Sequence, residues 1–508
     1  MSRNKIFMKS MALGRHLFHN RAGRALLDLF IGMLYIDAVR KVVFALADSW
    51  IQRGSFWRGS ERPGRGRIYS QYQQVARAAL HSLERGIGSM TLSPRVARII
   101  LHLWGGMMFP TAARQEAVEH FQERHGCKPP WFLVISPTRA CNLQCEGCYA
   151  NAGAGSAPMT GESLAWEVLD RVVTEAKQQW GVRLFVFSGG EPLCYRSQGR
   201  DLLDIVEKHN DCLFLMFTNG TLLGEETAER LARLGNLTPA LSVEGLEAQT
   251  DERRGEGTQR RVLEAMQRLR VAGVPFGISM TVTQANCGQV LADDLLDLYF
   301  DREGAFYGFV FQYMPIGRTP NLDWMPAAAQ RIPFWERSWQ VVRERRLFLL
   351  DFLNHGPLVE GCIAAGRERG YLHIDWRGDV MPCVFLPYAA ANVHKVNSRG
   401  GTLDDVWQTP FLQAIRTWQS RHGYGCSQPS AESNWMLPCP LRDHFGDLRD
   451  LVEAMAPQPQ AGVAPEGLLE EAFCSWMSAY GREQERLVKP VWEREYPMAL
   501  TDSPPFLR

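Results

Sequence analysis

Two patterns of hydrophobic and polar residues divide the chain near residue 126. Beyond this point, short apolar segments alternate with longer stretches that have the period of amphipathic helices. Strands that are apolar nearly throughout and are separated by helices are typical of a parallel sheet buried on both faces. The predicted strands are residues 131–138, 183–189, 213–220, 238–245, 276–283 and 308–315. Six such units predict an α/β fold with a partial or complete β/α barrel, whose chemistry lies at the carboxyl ends of the strands.

The first 125 residues predict helices, at 69–87, 93–106 and 112–124. Residues 24–50 also predict one or two helices that are apolar over a broad face. Their longest uncharged run, Leu29–Ile36, is far shorter than the roughly 20 residues of a membrane-spanning helix. Residues 1–24 contain six basic residues and no acidic one. Two interpretations follow: an extension packed on the main domain, or an interfacial helix whose basic residues meet anionic lipid headgroups.

Length and composition narrow the class of protein. A chain of 508 residues exceeds one typical domain. We expect a helical N-terminal extension (1–125), the barrel (126–325), a cysteine-bearing α+β domain (326–445) and C-terminal helices (446–508). The net charge of +1 gives no indication of a nucleic-acid partner. Twelve cysteines are too sparse for a disulfide scaffold, and no secretory signal is evident. The cysteines therefore belong in a reducing cytoplasm, where clustered thiols bind metal.

Three cysteines follow the first predicted strand in the pattern C-x3-C-x2-C, at Cys141, Cys145 and Cys148. The next three strands end in SGGEP, TNG and SVEG, so one edge of the sheet collects thiols, a glycine turn and small polar groups. Structural zinc normally takes four nitrogen or sulfur ligands, so a zinc site here needs a fourth ligand from elsewhere. Alternatively, three thiolates hold a four-iron cluster and leave one iron open to a small chelating molecule.

These motifs resemble those of the radical S-adenosylmethionine (SAM) superfamily. The resemblance rests on C-N-L-x-C-x-x-C-Y after the first strand, SGGEP after the second, and LSVEGLEAQTDERRG (241–255) after the fourth. It implies a partial (β/α)6 TIM-like barrel in which the three cysteines bind a [4Fe-4S] cluster whose open iron chelates SAM. By this resemblance Tyr149 lies near the adenine of SAM, and Gly189, Gly190 and Glu191 hold the methionine amino group. Ser242 and Arg254 contact the ribose or the carboxylate. Asn219 and Glu244 are the remaining implied cofactor-binding residues. Glu244 and Thr250 stand where the family signature has Asp and His.

The resemblance also implies a reaction. An electron from a donor such as flavodoxin or ferredoxin cleaves SAM to a 5′-deoxyadenosyl radical, which takes a hydrogen atom from an unactivated C–H bond. The protein positions the cofactor and excludes water. Phe309, Phe311 and Tyr313 on the last predicted strand are assigned to the core, whereas Gln312, which alternates with them, is a candidate for the barrel interior.

A second set of cysteines lies in the C-terminal third. Cys362, Gly378 and Cys383 fit C-x9–15-G-x4-C, and residues 371–385 predict a β-hairpin between the two cysteines. This resembles the opening of the auxiliary-cluster extension called SPASM or twitch, and it implies one auxiliary [4Fe-4S] cluster. Cys439, in a Pro-Cys-Pro turn, is the expected third ligand and Cys426 a candidate fourth, without which one iron stays open. The alternative is that Cys362 and Cys383 are simply packed thiols.

The motifs do not identify the substrate, and three hypotheses follow. The first, which the sequence favours, is an enzyme acting on a membrane lipid, because the basic and apolar N-terminus suits a peripheral position at the inner face of the membrane. The second is a maturase of ribosomally made peptides, because many SPASM and twitch relatives modify such peptides. The third is a non-catalytic iron–sulfur electron-transfer protein, which would have no use for the SGGEP turn. We expect a cytoplasmic enzyme without a nucleic-acid partner.

Overall fold

One ten-stranded sheet forms the centre of the molecule. The computed structural model describes residues 14, 18–53, 66–153, 162–425, 433–460, 462–463 and 468–497. The strands are β1 (Phe132–Ile135), β2 (Leu184–Phe187), β3 (Arg196–Ser197), β4 (Arg200–Asp201), β5 (Leu213–Thr218), β6 (Leu237–Val243), β7 (Gly277–Val282), β8 (Tyr307–Gln312), β9 (Leu349–Asp351), β10 (Tyr371–Ile374), β11 (Asp379–Met381), β12 (Tyr388–Ala389), β13 (Ala391–Asn392) and β14 (Gln458–Pro459). β3 pairs with β4, and β12 with β14, in two small separate sheets.

The order of strands in the large sheet is β13-β11-β10-β1-β2-β5-β6-β7-β8-β9. Every pair from β10 to β9 is parallel, and β11 and β13 add antiparallel strands at one edge. Within the described residues, β13 and β9 do not pair with each other, so the sheet is a partial barrel. The predicted α/β fold class is confirmed.

Helices surround this sheet and precede it. They are α1 (Arg21–Met33), α2 (Asp37–Gln52), α3 (Gly66–Gly88), α4 (Pro94–Met108), α5 (Ala112–His125), α6 (Trp166–Gln179), α7 (Leu202–Lys208), α8 (Glu225–Leu234), α9 (Glu247–Arg254), α10 (Thr258–Ala272), α11 (Asp293–Leu296), α12 (Arg331–Gln340), α13 (Val393–Asn397), α14 (Leu403–Trp407), α15 (Pro410–Arg421), α16 (Phe445–Met455) and α17 (Glu471–Glu495). Shorter helical turns lie at Pro192–Cys194, Asp297–Arg302, Leu322–Trp324, Ala328–Gln330, Val341–Arg345 and Gly356–Val359.

The six predicted strands correspond to β1, β2, β5, β6, β7 and β8, with ends that differ by at most three residues. The structure adds a seventh parallel strand, β9, which is too short for hydrophobic periodicity to distinguish from a loop. It also places β10 beside β1, with Tyr371 opposite Phe132. The hairpin between Cys362 and Cys383 therefore continues the sheet of the barrel. The division of the chain into four regions stays a prediction.

The N-terminal helices pack on one another around a small core of their own. α1 lies against α4, and α2 lies against α3. Ile31, Leu34 and Phe44 are buried between them. Two acidic residues on the inward sides are paired, Asp28 with His102 at 2.8 Å and Asp48 with Arg77 at 2.6 Å. No helix in the described part of the chain is both long and apolar enough to cross a bilayer.

A buried ion pair joins α12 to the loop that carries Cys439. Arg331 Nη1 lies 2.6 Å from Asp443 Oδ1, and neither side chain is exposed. The other carboxylate oxygen of Asp443 accepts a hydrogen bond from the backbone N–H of Cys439 at 3.0 Å. Arg331 also donates to Asn354 at 3.0 Å and to Gln484 of α17 at 3.2 Å. The pair therefore fixes the Cys439 loop against both α12 and α17.

Candidate functional site

The loop after β1 carries the first cysteine set. Cys141 is buried, Cys145 and Cys148 are partly buried, and all three line one cavity. Burial raises the pKa of the Cys141 thiol well above its ordinary value, and the nearby charge of Glu191 raises it further. Burial raises the pKa of Cys145 as well. Thiolates at these positions need a positively charged partner, which the iron of a bound cluster supplies.

The three sulfur atoms of this set are not close enough together to share a single zinc ion. Three ligands of one tetrahedral zinc ion lie within about 4 Å of one another. Among the described residues, the only group of three ligand atoms within 4.8 Å of one another lies outside both cysteine sets. The donor set therefore supports the cluster interpretation and not the zinc alternative.

The SGGEP turn after β2 packs directly against the cysteine loop. The backbone N–H of Glu191 donates to the carbonyl of Ala140 at 2.8 Å. Gly189 has a φ of +106°, a conformation that residues with side chains rarely adopt. A Cβ atom at Gly190 would collide with the carbonyl oxygen of Ala140, next to Cys141. The absence of side chains at both glycines therefore allows the turn to touch the loop.

The side chain of Glu191 is a buried link between two strand ends. It is 1% exposed and accepts hydrogen bonds from Thr218 Oγ1, from the backbone N–H of Asn219, both at 2.8 Å, and from that of Leu193 at 3.1 Å. Burial raises its pKa, while these donors act in the opposite direction. The carboxyl group thus holds the turn after β2 to the end of β5.

Two other predicted cofactor-binding residues lie beside the cysteine loop. The hydroxyl of Tyr149 accepts from the backbone N–H of Gly189 at 3.0 Å and lies 2.6 Å from the hydroxyl of Ser188. The amide nitrogen of Asn219 lies 3.9 Å from the sulfur of Cys141 and donates to Asn142 at 2.9 Å. The structure therefore brings the cysteine loop and the ends of β2 and β5 together.

The segment after β6 presents an ion cluster to the same cavity. Glu244 is 1% exposed, and its carboxylate pairs with Arg254 and, at 2.7 Å, with Arg253. Its second oxygen accepts from the backbone N–H of Thr281 on β7 at 3.1 Å. The backbone N–H of Glu244 donates to the hydroxyl of Thr250 at 3.2 Å. Glu244 therefore offsets the charge of two arginines that line the cavity, a role that the sequence signature did not indicate.

The cavity itself has a volume of about 370 Å³ and is mainly apolar. It extends from the first cysteine set along the inner face of the sheet. Its aromatic lining includes Phe217, Phe309, Phe311, Phe352, Tyr371 and Phe385, and Ser242, Ser279, Thr281 and Gln312 are among its polar residues. The sequence predicts that Phe309 and Phe311 belong to the core, although their two-residue alternation along β8 already places them on one face. Its suggestion that Gln312 faces the interior agrees with the structure.

The second cysteine set converges beside this cavity. Cys362, Cys383 and Cys439 together line a small neighbouring cavity. Burial raises the pKa of all three thiols, that of Cys383 to about 11. The sulfur of Cys383 lies 2.9 Å from the hydroxyl of Tyr371 and accepts from the backbone N–H of Phe385 at 3.4 Å. Buried thiols with donors directed at their sulfurs fit an iron–sulfur cluster. Cys426, the candidate fourth ligand, lies outside the described residues.

A thin wall separates the two cysteine sets. Met314, Phe352, Tyr371 and Phe385 line both cavities. Because β10 pairs with β1, Tyr371 stands at the boundary, with its ring stacked on Phe132 and its hydroxyl at Cys383. The site is therefore an apolar chamber with the first set of thiols at one end and the second set in a small cavity behind this wall.

Two family profiles match parts of this chain. A family profile described as the radical SAM superfamily matches residues 135–285, and one described as the SPASM iron–sulfur cluster-binding domain matches residues 362–428. The second range includes Cys362, Cys383 and Cys426 and ends before Cys439. Among solved structures, Streptococcus suis SuiB bound to the precursor peptide SuiA is 19% identical, with a TM-score of 0.48 over 60% of this chain and 70% of that chain.

Three curated relatives have higher sequence identity to this chain. PqqA peptide cyclase of Granulibacter bethesdensis is 30% identical over 57% of this chain and 77% of that protein. Mycofactocin maturase MftC of Mycobacterium ulcerans is 29% identical over 62% of this chain and 84% of that protein. The AdoMet-dependent heme synthase of Methanosarcina barkeri is 27% identical over 55% and 82%. This protein belongs to the radical SAM superfamily of enzymes, and its C-terminal part contains a SPASM iron–sulfur cluster-binding domain.

Proposed function

We propose that this radical SAM enzyme modifies a ribosomally made peptide at a side chain that enters the apolar chamber. The observation that carries the proposal is the 370 Å³ cavity, which lies at the lower end of the range for ligand sites. SAM fills part of this volume, so the remaining space suits one side chain better than a long acyl chain. The relationship to PqqA peptide cyclase supports the same substrate class. A peptide substrate thus replaces the lipid that the N-terminus favoured.

The residues around the chamber divide into three proposed roles. Cys141, Cys145 and Cys148 hold the [4Fe-4S] cluster whose bound SAM supplies a 5′-deoxyadenosyl radical. Cys362, Cys383 and Cys439 hold the auxiliary cluster, with Cys426 as the candidate fourth ligand. SAM lies against Tyr149, Gly189, Gly190, Glu191, Asn219, Ser242, Glu244 and Arg254. A small electron-transfer protein such as flavodoxin or ferredoxin supplies the electron.

A haem precursor is the competing substrate, because the curated relatives include heme synthases. Such a molecule carries several carboxylates, which need cations when they are buried. Among the described residues that line the chamber, the only cations are Arg253 and Arg254, and both are paired with Glu244. The charge of the chamber therefore favours an apolar side chain over a polyanionic ring.

Co-expression tests the peptide proposal. Each short reading frame encoded beside the gene is expressed with the wild-type enzyme or with Cys145→Ala, and peptides are compared by mass spectrometry. We expect one peptide whose mass changes only with the wild type. The lipid and porphyrin fractions of the same cells serve as internal comparisons. If one of those fractions changes while every peptide stays unmodified, the substrate assignment is wrong.

Gly190→Ala tests the contact between the SGGEP turn and the cysteine loop. The added Cβ would collide with the carbonyl of Ala140, so the turn and the loop must separate. Because displacements near 1 Å can lower catalytic rates about 100-fold, we expect a loss of about this size in 5′-deoxyadenosine formation. Gly224→Ala is the matched control, since a Cβ there would meet no atom within 4 Å. If Gly190→Ala and Gly224→Ala formed 5′-deoxyadenosine at equal rates, the contact between the turn and the loop would not be needed for SAM cleavage.

We also propose that α1 and α2 dock the enzyme on an anionic membrane surface. Their sides facing away from α3 and α4 form an outer apolar face, made of Leu26, Leu29, Phe30, Met33, Ile36, Val42, Leu46 and Trp50, which are between 38% and 66% exposed. Apolar side chains at helical spacing on the solvent side are typical of interfacial helices. The six basic residues within 1–24 complement anionic headgroups, which attract each such charge by about 1 kcal/mol.

Flotation with vesicles tests this docking face. We expect the wild-type enzyme to float with vesicles containing phosphatidylglycerol and not with pure phosphatidylcholine. Leu29→Ser combined with Leu46→Ser should abolish flotation, because it removes two of the most exposed apolar side chains without changing charge. Val271→Ser is the control, since Val271 is 84% exposed on α10. Wild type that stays unbound, or that forms a dimer through this face, would contradict membrane docking.

A further inference from the structure

Three polar side chains converge outside both cysteine sets. His422 directly follows α15, His444 directly precedes α16, and Asp447 lies in the first turn of α16. One nitrogen of each imidazole and one oxygen of the carboxylate all lie within 4.8 Å of one another. In the ranges that the structure describes, no other His, Cys, Asp or Glu residues form such a group of three. None of these three residues lines the chamber or the cavity of the second cysteine set.

Hydrogen bonds to backbone carbonyls fix the tautomer of each histidine. Nδ1 of His422 lies 3.0 Å from the carbonyl oxygen of Trp418, and Nε2 of His444 lies 2.8 Å from that of Leu437. A carbonyl oxygen can only accept, so each of these nitrogens carries the hydrogen. Nε2 of His422 and Nδ1 of His444 consequently carry lone pairs. Metal-binding histidines are oriented by this kind of contact on the nitrogen away from the ion.

The carboxylate presents a further acceptor to the same space. Asp447 Oδ2 lies 3.3 Å from Nε2 of His422 and accepts a hydrogen bond from the indole N–H of Trp418 at 2.8 Å. With neutral His422, two acceptors face each other with no hydrogen between them, an arrangement that a cation stabilises.

We propose that His422, His444 and Asp447 bind a zinc ion that joins the end of α15 to the start of α16. Two imidazole nitrogens and one carboxylate oxygen are common zinc ligands, and half-exposed Asp447 leaves room for water at the remaining position. The ion stabilises the two helix ends that border the segment containing Cys426. This site is independent of the peptide proposal, since it requires neither SAM nor a substrate.

Metal analysis of the holoenzyme tests the site. The reconstituted protein is dialysed against micromolar zinc, and zinc and iron are measured by mass spectrometry. We expect about one zinc per chain and a zinc-edge X-ray absorption spectrum with nitrogen or oxygen ligands near 2.0–2.1 Å and no sulfur shell. His444→Ala should lower zinc affinity at least tenfold at unchanged iron content, and His394→Ala, at an exposed position, should change neither.

Asp447→Asn provides a second variant that leaves both histidines in place. It should also lower zinc affinity at least tenfold, because a neutral amide replaces the carboxylate. A wild type without zinc would overturn the proposal. A sulfur shell in the spectrum would do so too, because it would place the zinc in a cysteine set.

Discussion

Cys145→Ala is expected to reduce the formation of 5′-deoxyadenosine to background. The substitution leaves two of the three thiols that line the chamber at the end of β1, and the remaining thiols cannot retain a stable four-iron cluster. The measurement is chromatographic quantification of 5′-deoxyadenosine after incubation with SAM and a chemical reductant. Iron analysis should show a loss of about one cluster per chain.

Cys127→Ala is the matched control for this experiment. Cys127 is a partly buried free thiol at the edge of the core. It lines neither the chamber nor the small cavity of the second cysteine set. Its replacement should leave both cleavage and iron content at the wild-type level. If Cys145→Ala cleaved SAM at the wild-type rate, the first cysteine set would not hold the cluster that cleaves SAM.

Asp443→Asn is expected to destabilise the C-terminal part of the protein by about 3–5 kcal/mol. The variant leaves the guanidinium of Arg331 buried without its counter-charge. Burial acts to raise the pKa of Asp443, but Arg331 and Arg442 outweigh it and hold the pKa below its ordinary value. The carboxylate therefore contributes its stability above the ordinary Asp pKa of about 3.9 and loses it as the pH falls further. A urea titration at neutral pH, followed by tryptophan fluorescence, measures the change.

Glu483→Gln supplies the surface comparison. Glu483 pairs with Arg486 at 2.7 Å on α17, where both side chains are largely exposed. Such pairs contribute about 0–1 kcal/mol, so the urea midpoint should hardly move. If Asp443→Asn behaved like Glu483→Gln, the buried pair would not be what holds the Cys439 loop.

The sequence predicts most of the barrel and both cysteine sets because their signals are local. Six strands show as short apolar runs, and each cysteine motif spans fewer than 25 residues. The pairing of β10 with β1 is different, since it joins Phe132 to Tyr371, and no local pattern reports a contact across that separation. That pairing places the second cysteine set beside the first and creates the shared wall.

The sequence predicts that a site exists but not the contacts that its side chains make. The signature after β6 predicts a cofactor contact for Glu244 and gives no sign that the carboxylate also pairs with Arg253 and Arg254. Phe309 and Phe311, which line the chamber, were assigned to the core, because a buried phenylalanine and one facing a cavity have the same sequence pattern. Only the arrangement of the strands in space separates the two.

Electron paramagnetic resonance of the reduced protein, with and without SAM, distinguishes the cluster that binds SAM from the auxiliary cluster. We expect signals from two clusters, and only one of them should change when SAM is added. In Cys362→Ala the SAM-sensitive signal should remain and the other should be lost. A SAM-sensitive signal that disappears in Cys362→Ala would contradict the account, because it would place the cofactor at the second cysteine set.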